Sequence, residues 1–224
     1  MFSFLKKNRK DSVTNTRNID NIKISVIMPV YLGDYNGAAS DRESKFKAAV
    51  ISFVRQTYEN KELIIISDGC YIAEKVYKDY LQYKGVRFLK IDKQPLFSGK
   101  VREEGLKEAI GDVICYLDSD DLLGENHLSN IINSFSDPAL DYIYYNDMLL
   151  PPNQQPIPRN VELKHGSVGT SSFAHRKYAN KSSWIGCDGY GHDWQFISKF
   201  IANNGCGKKI YGAEYYVCHV PHIF

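Results

Sequence analysis

The chain lacks several features by which protein classes are recognised. Its 28 lysines and arginines nearly balance its 26 aspartates and glutamates, which leaves a formal net charge of +2. Bulk charge therefore argues against a dedicated nucleic-acid binder, and no stable nucleic-acid partner is expected. The five cysteines are odd in number and show no Cys-x-x-Cys spacing, which argues against a disulfide framework and against a zinc site. These observations favour a reducing, cytoplasmic setting.

Long apolar runs are also missing. No stretch approaches the roughly 18 residues that a membrane-spanning helix needs. The apolar residues 1–5 precede the basic residues of 6–10, which is the reverse of a secretory signal. We therefore predict membrane association that is at most peripheral and an N-terminal tail at 1–20. The 224 residues, 43% of them hydrophobic, suffice for one core, and without repeats or linkers residues 21–224 are predicted to form a single domain.

What the sequence does contain is an alternation of short apolar runs with amphipathic segments. Strands are predicted at 23–28, 62–66, 86–91 and 113–117, and helices at about 46–54, 73–83 and 101–110. This order predicts an α/β fold with a mainly parallel central sheet and helices on both faces. Further along, extended segments are predicted at 142–147, 166–173 and 214–220, a helix at 192–202, and an edge or active-site loop at the proline-rich 151–158.

Three segments directly follow predicted strands. They are Pro29-Val30-Tyr31, Ser67-Asp68-Gly69 and Asp118-Ser119-Asp120-Asp121. Because ligands of such sheets bind beyond the carboxyl ends of the strands, the three segments are expected to converge on one cleft. The oxygen ligands of an Asp-x-Asp can hold Mg²⁺ or Mn²⁺. The same residues also suit a polar turn before the helix that is predicted from about Glu125.

Read in order, these segments resemble the signatures of family 2 inverting glycosyltransferases with the GT-A fold. The matching segments are residues 24–31 (ISVIMPVY), 56–69 (QTYENKELIIISDG) and 112–121 (DVICYLDSDD). The resemblance spans roughly 22–204 and is strongest up to Leu123. It implies metal-dependent transfer of a sugar, with inversion, from a nucleotide-sugar donor to an acceptor glycan or other hydroxyl compound. The donor is expected to be a UDP-sugar. It also implies Mn²⁺ or Mg²⁺ as cofactor.

The resemblance extends to individual donor-binding residues. Pro29 and Tyr31 match the first donor-binding loop. Asp68 matches a carboxylate that accepts a hydrogen bond from the nucleobase, although serine precedes it where an adjacent aspartate is usual. Arg102 resembles the arginine that faces the nucleotide, and Lys100 is a second candidate for that role. The alternative reading of Arg102 is a solvated helix arginine.

Candidate metal ligands come from two parts of the chain. Asp120 resembles the direct ligand of the family. Asp118 resembles a residue that faces the sugar or ribose and is a second candidate ligand. Two roles stay open for Asp121, a metal ligand or a residue behind the ligands. His219 and His222, at and after the last predicted strand, resemble a third metal ligand or a diphosphate contact of some related enzymes. Surface or core histidines are the alternative.

The catalytic base is expected elsewhere, since a carboxylate bound to a cation is a poor proton acceptor. Asp193, within His192-Asp193-Trp194, matches the family's acidic pair before an aromatic residue, and His192 departs from the usual acidic neighbour. A helix cap is the alternative reading of Asp193. Asp188 is the alternative base.

Two other functions compete with the glycosyltransferase prediction. A sugar nucleotidyltransferase would need a basic loop after the first strand, yet residues 32–37 contain no Lys or Arg. A non-catalytic nucleotide-sugar or glycan-binding module would be favoured if Asp120 or Asp193 were dispensable.

Residues 32–43 are predicted to form a long loop, and within it residues 35–42 are predicted to become ordered as a lid when the donor binds. Residues 169–176 resemble the segment that lines the acceptor side.

Overall fold

A computed structural model of the chain describes residues 19–35, 38–95, 97, 99–178 and 183–218. The helices are α1 (Arg42–Val54), α2 (Tyr71–Tyr80), α3 (Lys100–Glu108), α4 (His127–Phe135) and α5 (His192–Asn203). The strands are β1 (Ile24–Val30), β2 (Lys61–Asp68), β3 (Val86–Ile91), β4 (Val113–Tyr116), β5 (Leu122–Leu123), β6 (Tyr142–Tyr145), β7 (Asp147–Leu149), β8 (Ile157–Arg159), β9 (Phe173–Arg176), β10 (Gly207–Ile210) and β11 (Tyr215–Val217). Among the described residues no helix has the length and apolarity to cross a membrane.

The main sheet has seven strands in the order β10-β6-β9-β4-β1-β2-β3. Parallel pairs join β1 to β2 and β4, β2 to β3, and β6 to β10. Only β9, within the described sheet, runs against its neighbours β4 and β6. The central position of β1 explains its near-continuous apolar sequence, because strands covered on both faces have no polar side. The expected α/β fold with a mainly parallel sheet is confirmed.

Side chains of β1 alternate between two cores. Val26 and Met28 join the core under α1, α2 and α4, whereas Ile27 joins the core under α3 and α5. On α3, Gly105 lies so close to β1 that a Cβ there would stand 2.4 Å from Ile27 Cγ2, so a side chain would push the helix off the sheet. Helices on both faces are therefore confirmed as well.

The second half departs from the sequence-based expectation in three places. Residues 142–147 are not one strand: the chain breaks at Asn146, whose side-chain oxygen accepts a hydrogen bond from Val161 N, and β6 and β7 enter different sheets. Residues 166–173 are not uniformly extended, because Thr170–Ser172 form a 3₁₀ turn in which Ser172 Oγ accepts from Gly169 N. Strand β10 was not predicted, since its Gly-Lys-Lys-Ile sequence shows no apolar alternation.

A second, four-stranded sheet has the strand order β5-β11-β7-β8. Pro158 lies on β8, the edge strand, where a missing N–H costs no hydrogen bond in the sheet. The proline-rich segment, predicted as an edge or active-site loop, thus ends in an edge strand. Strand β11 pairs with β5 and β7, and this brings the C-terminal part of the domain beside the Asp-x-Asp segment. Residues 1–18 of the predicted tail lie outside the described residues.

Candidate active site

The carboxyl ends of β1, β2 and β4 open into a cleft of about 320 Å³. The structure brings most of the predicted site residues into its lining, namely Pro29, Tyr31, Asp68, Arg102, Asp118, Asp120 and Asp193. Lys100 and Asp188 are exposed and line a neighbouring pocket instead. The structure therefore does not bring these two residues together with the others. His219 and His222 lie outside the described residues.

Arg102 connects the Asp-x-Asp segment with the first residue of α5. It is only 8% exposed, donates from Nη2 to Asp118 Oδ1 at 2.8 Å, and donates from Nη1 to His192 Nε2 at 2.9 Å. Its guanidinium lies 5.4 Å from the ring centroid of Trp184. Burial lowers the pKa of Arg102, but Asp118 and Asp193 more than offset this and raise it. The alternative of a solvated arginine is thus wrong: Arg102 is a buried, permanent cation.

Asp118 stands at the base of the cleft. Its side chain is 35% exposed, yet the surrounding protein desolvates its carboxylate. This desolvation, together with the nearby charges of Asp193 and Asp120, outweighs the attraction to Arg102 and raises the pKa of Asp118. A crowded carboxylate of this kind gains from any further positive charge. The arrangement favours cation or substrate binding over a simple polar turn.

Asp121 faces away from the cleft. It is 3% exposed and accepts from Tyr215 Oη at 2.9 Å and from Cys218 N at 2.7 Å. Tyr215 Oη in turn accepts from Asp118 N at 3.0 Å. Burial raises the pKa of Asp121 well above its usual range. Asp121 therefore anchors the Asp-x-Asp segment to β11, and Tyr215 is a site residue that the sequence did not reveal, because a tyrosine in a strand normally indicates only core.

Residues of the loop after β3 form hydrogen bonds with Asp68. Its carboxylate accepts from Lys93 Nζ at 2.6 Å and from Gln94 N at 2.6 Å. Lys93 Nζ also lies 4.5 Å from the ring centroid of Tyr31, so it connects the two predicted donor-binding segments. Ser67, which stands where an acidic residue is usual, is fully buried and forms hydrogen bonds with the backbone of Cys70. In the sequence, Lys93 follows a predicted strand, and no local pattern marks it as a site residue.

Arg42, the first residue of α1, fastens the loop after β1. It donates from Nη1 to Gly33 O at 2.8 Å and from Nε to Ala39 O at 2.9 Å, and its guanidinium lies 4.9 Å from the Tyr35 ring centroid. Arg42 also lines the cleft. Two cations that sequence analysis missed, Arg42 and Lys93, thus flank the donor-binding segments. The predicted lid at 35–42 stays a prediction, and residues 36 and 37 are not described.

Asp193, the second residue of α5, belongs to two compartments. It lines the cleft and also a second pocket of about 310 Å³ that contains Arg159 and Ser171. Its Oδ2 accepts from Thr170 N at 3.2 Å and from Thr170 Oγ1 at 3.3 Å. Its Oδ1 is buried and accepts no hydrogen bond from the described residues. The helix-cap reading is not supported, because these contacts run to the segment before β9 rather than to the first turn of α5.

The described residues fit a divalent cation only in part. They contain no group of three or more His, Cys, Asp or Glu side chains arranged to hold a metal ion. Asp118 and Asp120 nevertheless line the same cleft. A cation such as Mg²⁺ is usually held by one or two carboxylates together with substrate phosphates, so these two carboxylates suffice once a diphosphate is bound. Together with those phosphates, the two carboxylates match the oxygen ligands that Mg²⁺ and Mn²⁺ prefer.

Comparison of the sequence with known proteins identifies the family. The model of glycosyl transferase family 2 matches residues 25–188. The minor teichoic acid biosynthesis protein GgaB of Bacillus subtilis is 32% identical over 52% of this chain and 12% of its own length. The poly(ribitol-phosphate) beta-N-acetylglucosaminyltransferase TarP of Staphylococcus aureus is 34% identical over 50% of this chain and 32% of its own length. The glucosyltransferase WfgD of Escherichia coli, named for UDP-Glc and an alpha-D-GlcNAc-diphosphoundecaprenol acceptor, is 26% identical over 67% and 59%.

Solved structures agree with this assignment at the level of the fold. The crystal structure of S. aureus TarS 1–349 in complex with UDP-GlcNAc superposes with a TM-score of 0.65 at 19% identity, over 89% of this chain and 59% of that one. The complex with UDP gives a TM-score of 0.65 at 20% identity. The chain spans less than two thirds of the length of each of these relatives. Its fold is the GT-A fold, and the chain belongs to glycosyl transferase family 2.

Proposed function

We propose that the chain is a metal-dependent, inverting glycosyltransferase that uses a UDP-sugar and Asp193 as the base. The observation that carries this proposal is the position of Asp193. Its side chain lines both the cleft and the second pocket, and Thr170 fixes one of its carboxylate oxygens. A general base must lie within hydrogen-bond reach of the attacking hydroxyl, and a carboxylate that borders both pockets can meet an acceptor bound in one and a donor bound in the other.

The cleft suits the nucleotide diphosphate part of a donor. Arg42 and Lys93 border it near Tyr31, and Arg102 lies at its base against Asp118. Guanidinium and ammonium groups are the side chains that offset phosphate charge. Uridine is proposed as the nucleoside because TarS binds UDP and UDP-GlcNAc in the same fold and WfgD is named for UDP-Glc. For Asp68 to accept a hydrogen bond from the base, it must exchange part of its contact with Lys93.

Asp120 and Asp118 would hold the metal ion, which stabilises the negative charge of the departing nucleoside diphosphate when it is bound. The remaining chemistry belongs to the protein and the substrates. The acceptor hydroxyl attacks the anomeric carbon from the face opposite the diphosphate, and Asp193 takes its proton. The bond from the anomeric carbon to the diphosphate oxygen breaks, and its electron pair leaves with that oxygen. Attack from the opposite face inverts the anomeric configuration.

The second pocket offers an acceptor phosphate one cation, Arg159, among the carboxylates of Asp118, Asp120, Asp121 and Asp193 that also line it. Arg159 donates from Nε to the fully buried Asp147 at 2.7 Å, and Ser171 Oγ donates to the same carboxylate at 2.9 Å. The guanidinium is therefore fixed, while its Nη1 donates to none of the described residues and remains able to bind an anion. TarP and WfgD are both named for phosphate-bearing acceptors. We propose a phosphate-bearing glycan or polyol chain as acceptor.

The test is sugar transfer by the purified chain. The chain would be incubated with Mn²⁺, a panel of UDP-sugars, and acceptors in matched phosphorylated and dephosphorylated forms, with detection by mass spectrometry. We expect a product with one UDP-sugar, loss of product with chelator, and an inverted anomeric configuration by NMR. Asp188→Asn, at an exposed site outside the cleft, is the matched control for Asp193→Asn. UDP-sugar binding without transfer or hydrolysis across the panel would favour a binding module instead.

A further inference from the structure

Two residues, Phe97 and Tyr190, form an aromatic corner beside the cleft. Phe97 lines the cleft and is 47% exposed, whereas Tyr190, just before α5, is 91% exposed. Their ring centroids lie 5.8 Å apart with an interplanar angle of 86°. The ring of His192 stacks on Phe97 with centroids 6.3 Å apart and an interplanar angle of 28°. Aromatic surface that stays exposed at the edge of a cleft indicates a ligand-binding surface.

The backbone of Phe97 is held in a conformation that its side chain disfavours. Its φ angle is +55°, in the left-handed region where glycine and asparagine are common and a bulky aromatic residue is an outlier. Core packing does not explain this conformation, because nearly half of the residue is exposed. Strained backbone persists only where the surrounding structure holds it, and it is concentrated at ligand-binding and catalytic sites. The conformation of Phe97 thus indicates that its ring has a function in the cleft.

Hydrogen bonds hold the two loops that carry the aromatic corner. Gly99 N donates to Cys187 O at 2.8 Å, and a Cβ at Gly99 would stand 2.3 Å from that oxygen, so the loops approach each other more closely than any side chain would permit. Gln195 of α5 accepts from Asp188 N at 3.1 Å and donates to Asp188 O at 3.0 Å. These contacts fasten one loop to the other and the second loop to α5. The corner is therefore built before a ligand binds.

We propose that the aromatic corner binds the pyranose ring of the donor's sugar and helps to select that sugar. This inference rests on the proposed function, in which the sugar lies between a diphosphate held near Asp118 and Asp120 and the base Asp193. Phe97 lines the same cleft as these three carboxylates. The described lining of the second pocket, which is proposed for the acceptor, includes neither aromatic ring. The corner is therefore continuous with the donor cleft.

A pyranose ring and the aromatic corner are complementary in shape and charge. Hydroxyl groups surround the edge of the sugar ring, whereas its faces carry C–H groups. The π face of an aromatic ring is negative and attracts the slightly positive hydrogens of C–H groups. Two rings at nearly right angles can contact a face and an edge of one sugar together. A substituent that projects from the contacted face would hold the sugar away from the ring, so the corner discriminates sugars by shape.

A nucleobase can also stack on an aromatic ring. The proposed base-binding residues form a separate group in the cleft, because Asp68 accepts from Lys93 Nζ, and Lys93 Nζ lies over the ring of Tyr31. Phe97 instead contacts His192, at the start of α5. The observations therefore favour the sugar over the base as the ligand of the corner.

The test compares donor binding with and without the sugar. UDP, UDP-glucose and UDP-N-acetylglucosamine would each be titrated calorimetrically, with Mn²⁺ and without acceptor, into the wild type, Phe97→Asn and Tyr190→Ala. Asparagine tolerates the positive φ but removes the ring. Each variant should bind the preferred UDP-sugar about three- to tenfold more weakly, while UDP binding should stay within about twofold. Phe97→Tyr and Tyr190→Phe keep an aromatic ring and should retain the wild-type preference.

Two controls separate this role from a structural one. Tyr83→Ala, at a 40% exposed tyrosine before β3 and at the opposite end of the sheet from the cleft, should bind every ligand as the wild type does. The thermal unfolding midpoint of Phe97→Asn should not fall, because the substitution relieves backbone strain.

The possible outcomes are distinct. An equal loss of UDP and UDP-sugar affinity would assign the corner to the nucleotide and overturn the inference. Unchanged UDP-sugar affinity in both variants would overturn it too, even if the KM for acceptor rose. A wild type that binds neither UDP nor either UDP-sugar would count against the proposed function and remove the inference with it.

Discussion

The two sides of the cleft are built by different forces. The proposed donor side rests on β1, β2 and β4, whose paired residues are mostly buried and apolar. The proposed acceptor side rests on residues 146–172 and the small sheet, where polar contacts hold the chain, such as Arg159 with Asp147 and Tyr215 with Asp121. Apolar burial is insensitive to charge, whereas such contacts depend on ionisation. The comparison implies that donor binding and acceptor chemistry can be separated by mutation and by pH.

The largest expected effect separates the two sides at Asp193. Asp193→Asn keeps the shape of the side chain and removes the proton acceptor, so transfer should fall by about two to four orders of magnitude. UDP affinity with Mn²⁺ should stay close to wild type, because Asp193 contacts Thr170 rather than the proposed diphosphate contacts. Calorimetric titration with UDP beside product formation measures both quantities. Equal loss of binding and rate would place Asp193 in the donor site and return Asp188 as the candidate base.

The next effect concerns the metal site and belongs to the donor side. Asp120→Asn removes a charge at the cleft and should weaken UDP binding in the presence of Mn²⁺ by about 10- to 100-fold, equivalent to about 1.4 to 2.7 kcal/mol. UDP binding in chelator should change little. The Mn²⁺ concentration at half-maximal transfer should rise. Unchanged turnover of this variant at limiting Mn²⁺ would remove Asp120 from the metal site.

Acid should destabilise β6, β9 and β11 before β1 and β2 of the donor side. Burial lowers the pKa of His175 on β9 to about 4 and that of His127 on α4 to about 3, from 6.5 in the unfolded chain. The unfolded state therefore binds more protons below pH 6.5, and stability falls as the pH decreases from there to the folded-state values. At about pH 5.5 each histidine should cost about 1 kcal/mol relative to about pH 7.5.

Local hydrogen exchange, corrected for the intrinsic pH dependence, measures this difference. Amides of β6, β9 and β11 should lose protection at the lower pH more than those of β1 and β2. His127 accepts from Glu214 N and His175 contacts Tyr116 and Arg176, so both rings hold the C-terminal part of the domain. A uniform loss of protection across the main sheet would show that the two sides unfold as one unit.

The sequence predicts the donor side well and the acceptor side poorly. The strands up to β4 were predicted because buried parallel strands produce apolar runs that end in polar segments, and these ends converge on the cleft as expected. The acceptor side was predicted poorly, since Asn146 and the turn at Thr170–Ser172 depend on side-chain hydrogen bonds between distant residues. The same reason hid Tyr215 and Lys93. Their roles follow from partners that are remote in sequence and leave no local pattern.

The smallest expected effect tests whether the loop after β1 belongs to the donor side. Arg42→Gln should remove the hydrogen bond to Gly33 O and the contact with the Tyr35 ring, so the loop carrying Tyr31 should lose its fixed position. One hydrogen bond from a charged group is worth about 1.5 kcal/mol, so UDP should bind about tenfold more weakly, while the affinity of a slow-reacting acceptor should not change. Lys45→Gln removes the same charge one turn further along α1, where the side chain, 26% exposed, pairs with the exposed Asp41, and should leave UDP binding within about twofold. A matching loss in Lys45→Gln would mean that net charge, rather than the loop contacts of Arg42, determines donor affinity.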